Sequence, residues 1–308
     1  MVPPTRASIW ANQCATRIRR TRLSIRLLML KQRVITALVL LGIFLPILIW
    51  GSIEALAVLF GVIIVLAAWE WWRLLFPAHH SRAYFYAALV LLSLLIFLVL
   101  GSNVVILGIL WLTTLFWLLV VPFVMRQSLD LSLSQWSWPL ALAGLFILPA
   151  CWFALMILRS NGTLFLLSAL ILVWIADVGA YFTGKKWGKN KLAVRLSPGK
   201  SVEGALGGLV LVIILGFGMA YGLNDFSNAN FYTWLLSTSG ISGTLILLIV
   251  FVALSIQGDL FESQIKRLSG VKDSSSLLPG HGGVLDRIDA LLPFLPACAL
   301  LVYYWSRV

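Results

Sequence analysis

The sequence predicts an all-α, polytopic integral membrane protein with about nine transmembrane helices and a polar site in its C-terminal half. Of its 308 residues, 61% are hydrophobic and only 11% are charged, and the mean hydropathy is +0.99. A soluble domain carries about a quarter charged residues, so the apolar excess must face lipid. Fourteen Trp and seven Tyr residues are typical of a chain that crosses the membrane interface repeatedly.

Nine apolar stretches predict membrane-spanning helices, because backbone groups in lipid must be paired within their own segment. The predicted spans are 34–50, 53–75, 84–100, 104–124, 138–158, 163–183, 204–223, 241–258 and 290–305. Only Gly51 and Ser52 separate the first two, so a single long helix, and eight spans in all, is the alternative. Pro46 and Gly51 favour a break.

The distribution of positive charge predicts the orientation. With the N-terminus inside and the spans alternating, 21 of the 23 Lys and Arg residues fall on the inner side, and only Arg159 and Arg307 fall outside. This is the positive-inside pattern, so the net charge of +12 requires no nucleic-acid partner. We therefore expect the N-terminus and the charged loops to face the cytoplasm.

We divide the chain into a basic arm (1–33), the N-terminal membrane helices (34–158) and a C-terminal membrane domain (159–308). Three cysteines without a CxxC pair and three histidines exclude a disulfide framework and a His-rich metal site.

Two basic inner loops, about 184–203 and 259–289, carry most of the charge outside the arm. Asp177 precedes the first of them within an apolar run, and an ionisable group at that depth suggests function. Glycines and lysines in this loop suit a triphosphate, since backbone N–H and ammonium groups can approach its oxygens. Taken alone, a plain positive-inside loop explains most of that run, and the GxxxxGK[ST] phosphate loop is absent.

The second loop has a more specific pattern. On a helix, four residues at i, i+3, i+4 and i+7 form one polar stripe: Asp259, Glu262, Ser263 and Lys266. Asp286 and Asp289 form a second acidic pair before the last span. Oxygen ligands of this kind suit Mg²⁺, so the two helices predict a metal site that also holds phosphate.

This segment resembles the phosphatidate cytidylyltransferase (CDP-diacylglycerol synthase) family. The family pattern is followed without a break at these positions: Ser263, Lys266, Arg267, Lys272, Asp273, Pro279, His281, Gly282, Gly283, Asp286, Arg287 and Asp289. Further similarity lies in the upstream run from Asp177 to Gly204, in MLKQRVITALVL and in AAWEWWRL, so the resemblance covers residues 29–308. Val202 and Trp187 depart from the usual aromatic residues, and neither is a ligand type.

The resemblance implies transfer of CMP from CTP to phosphatidic acid by the C-terminal domain, with Mg²⁺ as cofactor and room for a second cation. The expected catalytic residues are Asp259, Asp286, Lys266, Arg267, Arg287 and His281. The expected substrate-binding residues are Lys185, Lys191, Ser197, Lys200, Glu203, Ser263, Lys272 and Asp273. The expected metal ligands are Asp259 and Asp286, completed by Asp289 or Asp177.

Two other functions are weighed against this one. A CTP-dependent kinase of a polyprenol-type lipid would share the helices, the nucleotide and the metal, and would release CDP instead of pyrophosphate. A secondary transporter would place its polar residues near the bilayer midplane, whereas here they gather at one side.

We expect the bacterial cytoplasmic (inner) membrane as the location, lipid and CTP as partners, no nucleic acid, and a homodimer as an open alternative. The family resemblance starts at Met29, which predicts that translation begins there and that residues 1–28 are dispensable.

Overall fold

The computed structural model describes residues 31–32, 34–126, 132–222 and 230–305. Its helices are α1 Val34–Trp50, α2 Ile53–Leu75, α3 Ala83–Leu100, α4 Asn103–Leu115, α5 Val121–Arg126, α6 Leu133–Ser160, α7 Thr163–Trp187, α8 Val202–Gly222, α9 Phe231–Leu268, α10 Leu285–Ile288 and α11 Leu291–Trp305. A 3-10 turn, His80–Arg82, precedes α3, and a π-helical turn, Phe116–Val120, joins α4 to α5. The predicted arm and start site lie outside the described residues, apart from residues 31 and 32.

Each predicted apolar stretch coincides with a helix, which confirms the all-α polytopic class. Among the described residues, seven helical segments are long and apolar enough to cross a membrane. The helices α1 and α11 are apolar but shorter, so the number nine stays a prediction.

The break between the first two helices is present. Gly51 closes the end of α1 by donating its N–H to the carbonyls of Pro46 and Ile47. The hydroxyl of Ser52 then accepts a hydrogen bond from Ala55 N at 3.2 Å and begins α2. The alternative of one long helix is therefore wrong.

The helix α9 extends well beyond the predicted span 241–258. It begins after the Asn230 cap, whose side chain accepts from Thr233 N, and it bends at Gly240, where φ is +65°. Its C-terminal turns carry the predicted polar stripe beyond the apolar span, so the predicted site residues Asp259 to Lys266 continue this helix instead of lying in a loop.

The close approach of α7 and α8 depends on glycine. A Cβ at Gly208 would lie only 2.5 Å from the Ala176 carbonyl oxygen, and one at Gly204 would lie 2.8 Å from the Ala180 carbonyl oxygen. Small residues four apart let two membrane helices pack backbone to backbone. The first basic loop is consequently held between two closely packed helices.

The predicted first basic loop contains regular structure: an antiparallel hairpin of β1 Lys191–Ala193 and β2 Ser197–Ser201. The hydroxyl of Ser201 accepts from Gly204 N and caps α8 directly after β2. Hydrogen bonds then bring the charged segments to one face of the helix bundle: Ser269 donates to the Leu74 carbonyl and Arg267 to the Leu196 carbonyl. On the same face, Thr36 at the start of α1 donates to the Pro279 carbonyl.

Candidate active site

The polar stripe on α9 forms as predicted. The Ser263 hydroxyl donates to Asp259 Oδ1 at 3.3 Å, one turn apart. The ammonium of Lys266 lies 2.8 Å from Glu262 Oε2, also one turn apart. Glu262 and Lys266 are both buried, with 2% and 9% of their surface exposed, whereas the Asp259 side chain keeps 32%. The accessible end of the stripe is therefore Asp259.

Lys266 joins the two acidic motifs. Its ammonium nitrogen lies 2.5 Å from Asp286 Oδ1 while it also contacts Glu262. A buried ammonium is retained only when it is paired, and here two carboxylates pair it. Lys266 was predicted to hold a phosphate; in this arrangement its donors face carboxylates, and the phosphate role stays a prediction.

The carboxylate of Asp286 is held on both oxygens. Oδ2 accepts from the backbone N–H of Ser274 and Gly283, at 3.0 and 2.7 Å, and from the Ser274 hydroxyl at 2.9 Å. Burial raises the pKa of Asp286, but the hydrogen bonds from Lys266 and from these backbone groups outweigh it and hold the pKa below its ordinary value. Oδ1 has Lys266 as its partner and keeps a second lone pair for a further ligand.

Asp289 and Glu262 form a close carboxyl pair. The two side chains lie within hydrogen-bonding reach of each other, and Asp289 Oδ1 accepts from Ala290 N. Burial and the nearby Asp259 carboxylate raise the pKa of Asp289. Glu262 Oε1 is buried and receives no hydrogen bond from the described residues. Two adjacent carboxyls with too few donors require a shared proton or a cation between them.

Asp259 connects this group to the hairpin. Its Oδ2 forms an ion pair with Lys200 on β2. The carboxyl of Asp177, on α7, interacts electrostatically with Lys200, Asp259 and Arg287. Lys200 therefore interacts with one carboxylate of α7 and one of α9. The convergence of Asp177, Asp259, Asp286 and Asp289 on one metal stays a prediction.

The other predicted residues in and beside the hairpin have separate surroundings. Glu203 accepts from Lys189 N and from the backbone and side-chain nitrogens of Asn190, at 2.7 to 3.1 Å. It therefore fixes the turn before β1. Lys185 and Lys191 are exposed and form no ion pair among the described residues. Ser197 begins β2 opposite Ala193.

The loop between α9 and α10 encloses a polar cavity of about 550 Å³. Lys272, Asp273, His281 and Arg287 line it together with the Pro279–Gly280 turn. Gly280 and Gly282 have positive φ values of 75° and 80°, and Arg287 donates to the His281 carbonyl at 2.7 Å. The turn thus gathers four predicted residues around one open space. Arg267, predicted as a phosphate ligand, is exposed and donates to two carbonyls.

Sequence reasoning missed Glu70. This residue of α2 is completely buried, and its carboxylate accepts from Ser274, Ser275, Val284 N and Leu285 N. The sequence does carry a signal for it, since Glu70 is an acidic residue inside the apolar run AAWEWW.

The donor set suits a divalent cation in its chemistry. The unsatisfied oxygen of Glu262, the remaining lone pair of Asp286 Oδ1 and the accessible Asp259 are all hard oxygen ligands. In the described ranges no three Asp, Glu, His or Cys side chains already stand in a metal-binding arrangement. Lys200 and Lys266 supply the neutralising charge there instead.

Comparison with known proteins identifies the relatives of this arrangement. The model of the cytidylyltransferase family matches residues 31–305. The phosphatidate cytidylyltransferase of Pseudomonas aeruginosa is 41% identical over 284 residues, which cover 89% of this chain and 97% of that protein. The proteins of the same name from Haemophilus influenzae and Staphylococcus aureus are 49% and 42% identical over 144 residues, 47% of this chain and 47% and 51% of theirs.

Proposed function

The chain belongs to the cytidylyltransferase family, and from that premise we propose that it transfers CMP from CTP to phosphatidic acid, giving CDP-diacylglycerol and pyrophosphate. One observation supports placing this reaction at the charged face of the helix bundle. Two groups of opposite charge lie at one face of the helix bundle: Lys200 interacts with Asp177 and Asp259, and Lys266 pairs with Glu262 and Asp286.

The reaction joins two anions. An oxygen of the lipid phosphate attacks the α-phosphorus of CTP, a new P–O bond forms, and the bond to the β-phosphate oxygen breaks to release pyrophosphate. Repulsion between the reactants is a large part of the barrier, so positive charge aimed at the phosphoryl oxygens accelerates the step. A phosphate monoester is already a competent nucleophile, and no strong base is needed.

The carboxylates are proposed to hold the divalent cation. Asp259 and Asp286 Oδ1 are its first ligands, and Asp289 or Asp177 completes the set. Bound Mg²⁺ would neutralise phosphate charge and orient the nucleotide. The exposed share of Asp259 gives such an ion its entry, and the ammonium of Lys200 is free to turn from Asp259 to a phosphate once the carboxylate has another partner.

The lysines in and beside the hairpin are proposed to bind the triphosphate of CTP, and the polar cavity is proposed to bind its nucleoside. Lys185, Lys191 and Lys200 line the route of the triphosphate, with the turn held by Glu203. Lys272, Asp273, Arg287 and His281 surround the cavity, whose volume of about 550 Å³ can accept a nucleoside part. The phosphate of the lipid then approaches along the bilayer surface.

The proposed orientation places this face on the cytoplasmic side of the bacterial inner membrane. The positive-inside distribution supports it, because both charged loops and the N-terminal arm then lie on the side where CTP is made.

Doubly labelled CTP tests the proposed reaction on purified protein with phosphatidic acid and Mg²⁺. Cytidylyl transfer moves label from the α-phosphate into lipid and label from the γ-phosphate into pyrophosphate. A lipid kinase would instead move the γ-label into lipid and leave the α-label in CDP. Label in lipid from the γ-position alone would overturn the proposal.

A further inference from the structure

The carboxylate of Glu70 has four donor groups within hydrogen-bonding distance, all in the segment that ends at the proposed centre. Oε1 accepts from the Ser275 hydroxyl at 2.5 Å and from Val284 N at 2.9 Å. Oε2 accepts from the Ser274 hydroxyl at 3.0 Å and from Leu285 N at 2.6 Å. Each oxygen therefore binds one residue from the beginning and one from the end of the loop 274–285.

All four of these partners are neutral. A buried carboxylate without a cation is stable only when its lone pairs find donors. Here Ser275, Val284 N and Leu285 N donate to Glu70, and the single proton of the Ser274 hydroxyl is shared between Glu70 and Asp286. Glutamine has one acceptor oxygen and an NH₂ group, so it could not serve two backbone N–H groups on opposite oxygens. The charge and the two equivalent oxygens of glutamate are both needed by this geometry.

The same loop residues hold Asp286. The Ser274 hydroxyl lies 3.0 Å from Glu70 and 2.9 Å from Asp286 Oδ2, so it touches both carboxylates. Gly283 N donates to Asp286, and a Cβ at Gly283 would lie 2.5 Å from Glu70 Oε1. Glu70 and Asp286 thus contact the backbone at Gly283 from opposite sides, and no side chain would fit at that position.

We propose that Glu70 is a positioning residue for the transfer reaction: by closing the loop 274–285 at both ends, it keeps Asp286 Oδ1 turned toward Lys266 and the reaction centre. The inference rests on the proposed function. In this proposal Glu70 on α2, far from Asp286 in sequence, fixes the orientation of the Asp286 carboxylate at the reaction centre.

Glu70→Gln is the first test, with Glu54→Gln as its matched control on the exposed start of the same helix. We expect kcat per folded molecule to fall by about 10- to 100-fold in Glu70→Gln, since misplacement of a catalytic group by about 1 Å has that effect. Glu54→Gln should keep the wild-type rate. Glu70→Asp, with its charge kept and its reach shortened, should lie between the two.

Hydrogen exchange supplies a readout that does not depend on activity. In Glu70→Gln the amides of Val284 and Leu285 should exchange faster than in wild type, while those of α7 and α8 stay unchanged. A double-mutant cycle with Ser274→Ala then tests the route: Glu70→Gln should cost less kcat in the Ser274→Ala background than in wild type.

Three results would overturn the inference while leaving the function standing. These are a wild-type kcat in Glu70→Gln, a loss explained entirely by a smaller folded fraction, and independent effects of Glu70→Gln and Ser274→Ala. If the wild-type protein itself transfers no α-label to lipid, the proposed function fails, and the exchange data still report whether Glu70 closes the loop.

Discussion

Gly258→Ala should move two of the proposed metal ligands apart without changing any of them. Gly258 precedes Asp259 on α9 and packs on the turn that carries Asp289. A Cβ there would overlap the Asp289 carbonyl oxygen and lie only 3.0 Å from its carbonyl carbon and from Pro293 Cδ. Since carbon atoms pack at about 3.5–4.0 Å, α9 and this turn must separate by about 0.5–1 Å.

A displacement of that size predicts a large kinetic effect and a modest one on stability. Misplacement by about 1 Å can cost about 10²-fold in rate. Overpacking of this kind costs about 1–3 kcal/mol of stability, which a folded membrane domain can absorb. Pyrophosphate release by purified Gly258→Ala should therefore fall by about 10- to 100-fold, with a small decrease in melting temperature.

Gly218→Ala is the matched control, because a Cβ at this helical position in α8 has no neighbour within 4 Å. It should retain the wild-type rate and melting temperature. Wild-type turnover in Gly258→Ala would refute the reasoning, since it would mean that the spacing of Asp259 and Asp289 does not matter for the reaction.

Further substitutions and labelling test the remaining assignments. Asp259→Asn and Asp286→Asn should each lower turnover by about 10²-fold or more at low Mg²⁺, because the amide lacks the charge that binds the ion. Part of the loss should be recovered at high Mg²⁺. Near-normal turnover of either variant at low Mg²⁺ would show that this residue is not a metal ligand. Glu203→Gln should raise KM for CTP more than it lowers kcat, since it loosens the turn at Lys189; an unchanged KM would separate this turn from nucleotide binding. A cysteine beside Arg159 should react with an impermeant label added outside intact cells and one beside Lys189 should not, and the opposite pattern would invert the proposed topology.

Periodicity and hydropathy were sufficient to locate the helices. The end of the first span and both bounds of the second were predicted where the structure has them, because Gly51 and Ser52 provide a local stop and a local cap. The polar stripe on α9 was likewise readable, since the spacing from Asp259 to Lys266 fits one helix face. These features depend on neighbours within a few residues.

Contacts between distant parts of the chain were not readable. Two ion pairs, Lys200 with Asp259 and Lys266 with Asp286, are examples. They form only because the hairpin and the α9–α10 loop fold over the helix ends. The same holds for Glu70, which meets Ser274 more than two hundred residues later. A single acidic residue in an apolar helix indicates function, but its partners are visible only in three dimensions.

The π-helical turn between α4 and α5 was also missed. Gln257 on α9 donates to the Trp117 carbonyl within this turn at 2.6 Å, and Gln264 donates to the Val124 carbonyl at 3.2 Å. Wider turns leave carbonyls available for such bonds, and no periodic apolar pattern indicates them. The face of α9 opposite the polar stripe is thereby tied to a neighbouring helix.

The most direct test of the central claim is the stoichiometry of products formed by the purified protein from CTP and phosphatidic acid. We expect pyrophosphate and CDP-diacylglycerol to appear together in a one-to-one ratio with Mg²⁺ present, and neither to form after chelation by EDTA. Release of CDP in place of pyrophosphate, or turnover that persists at the same rate in EDTA, would contradict the account.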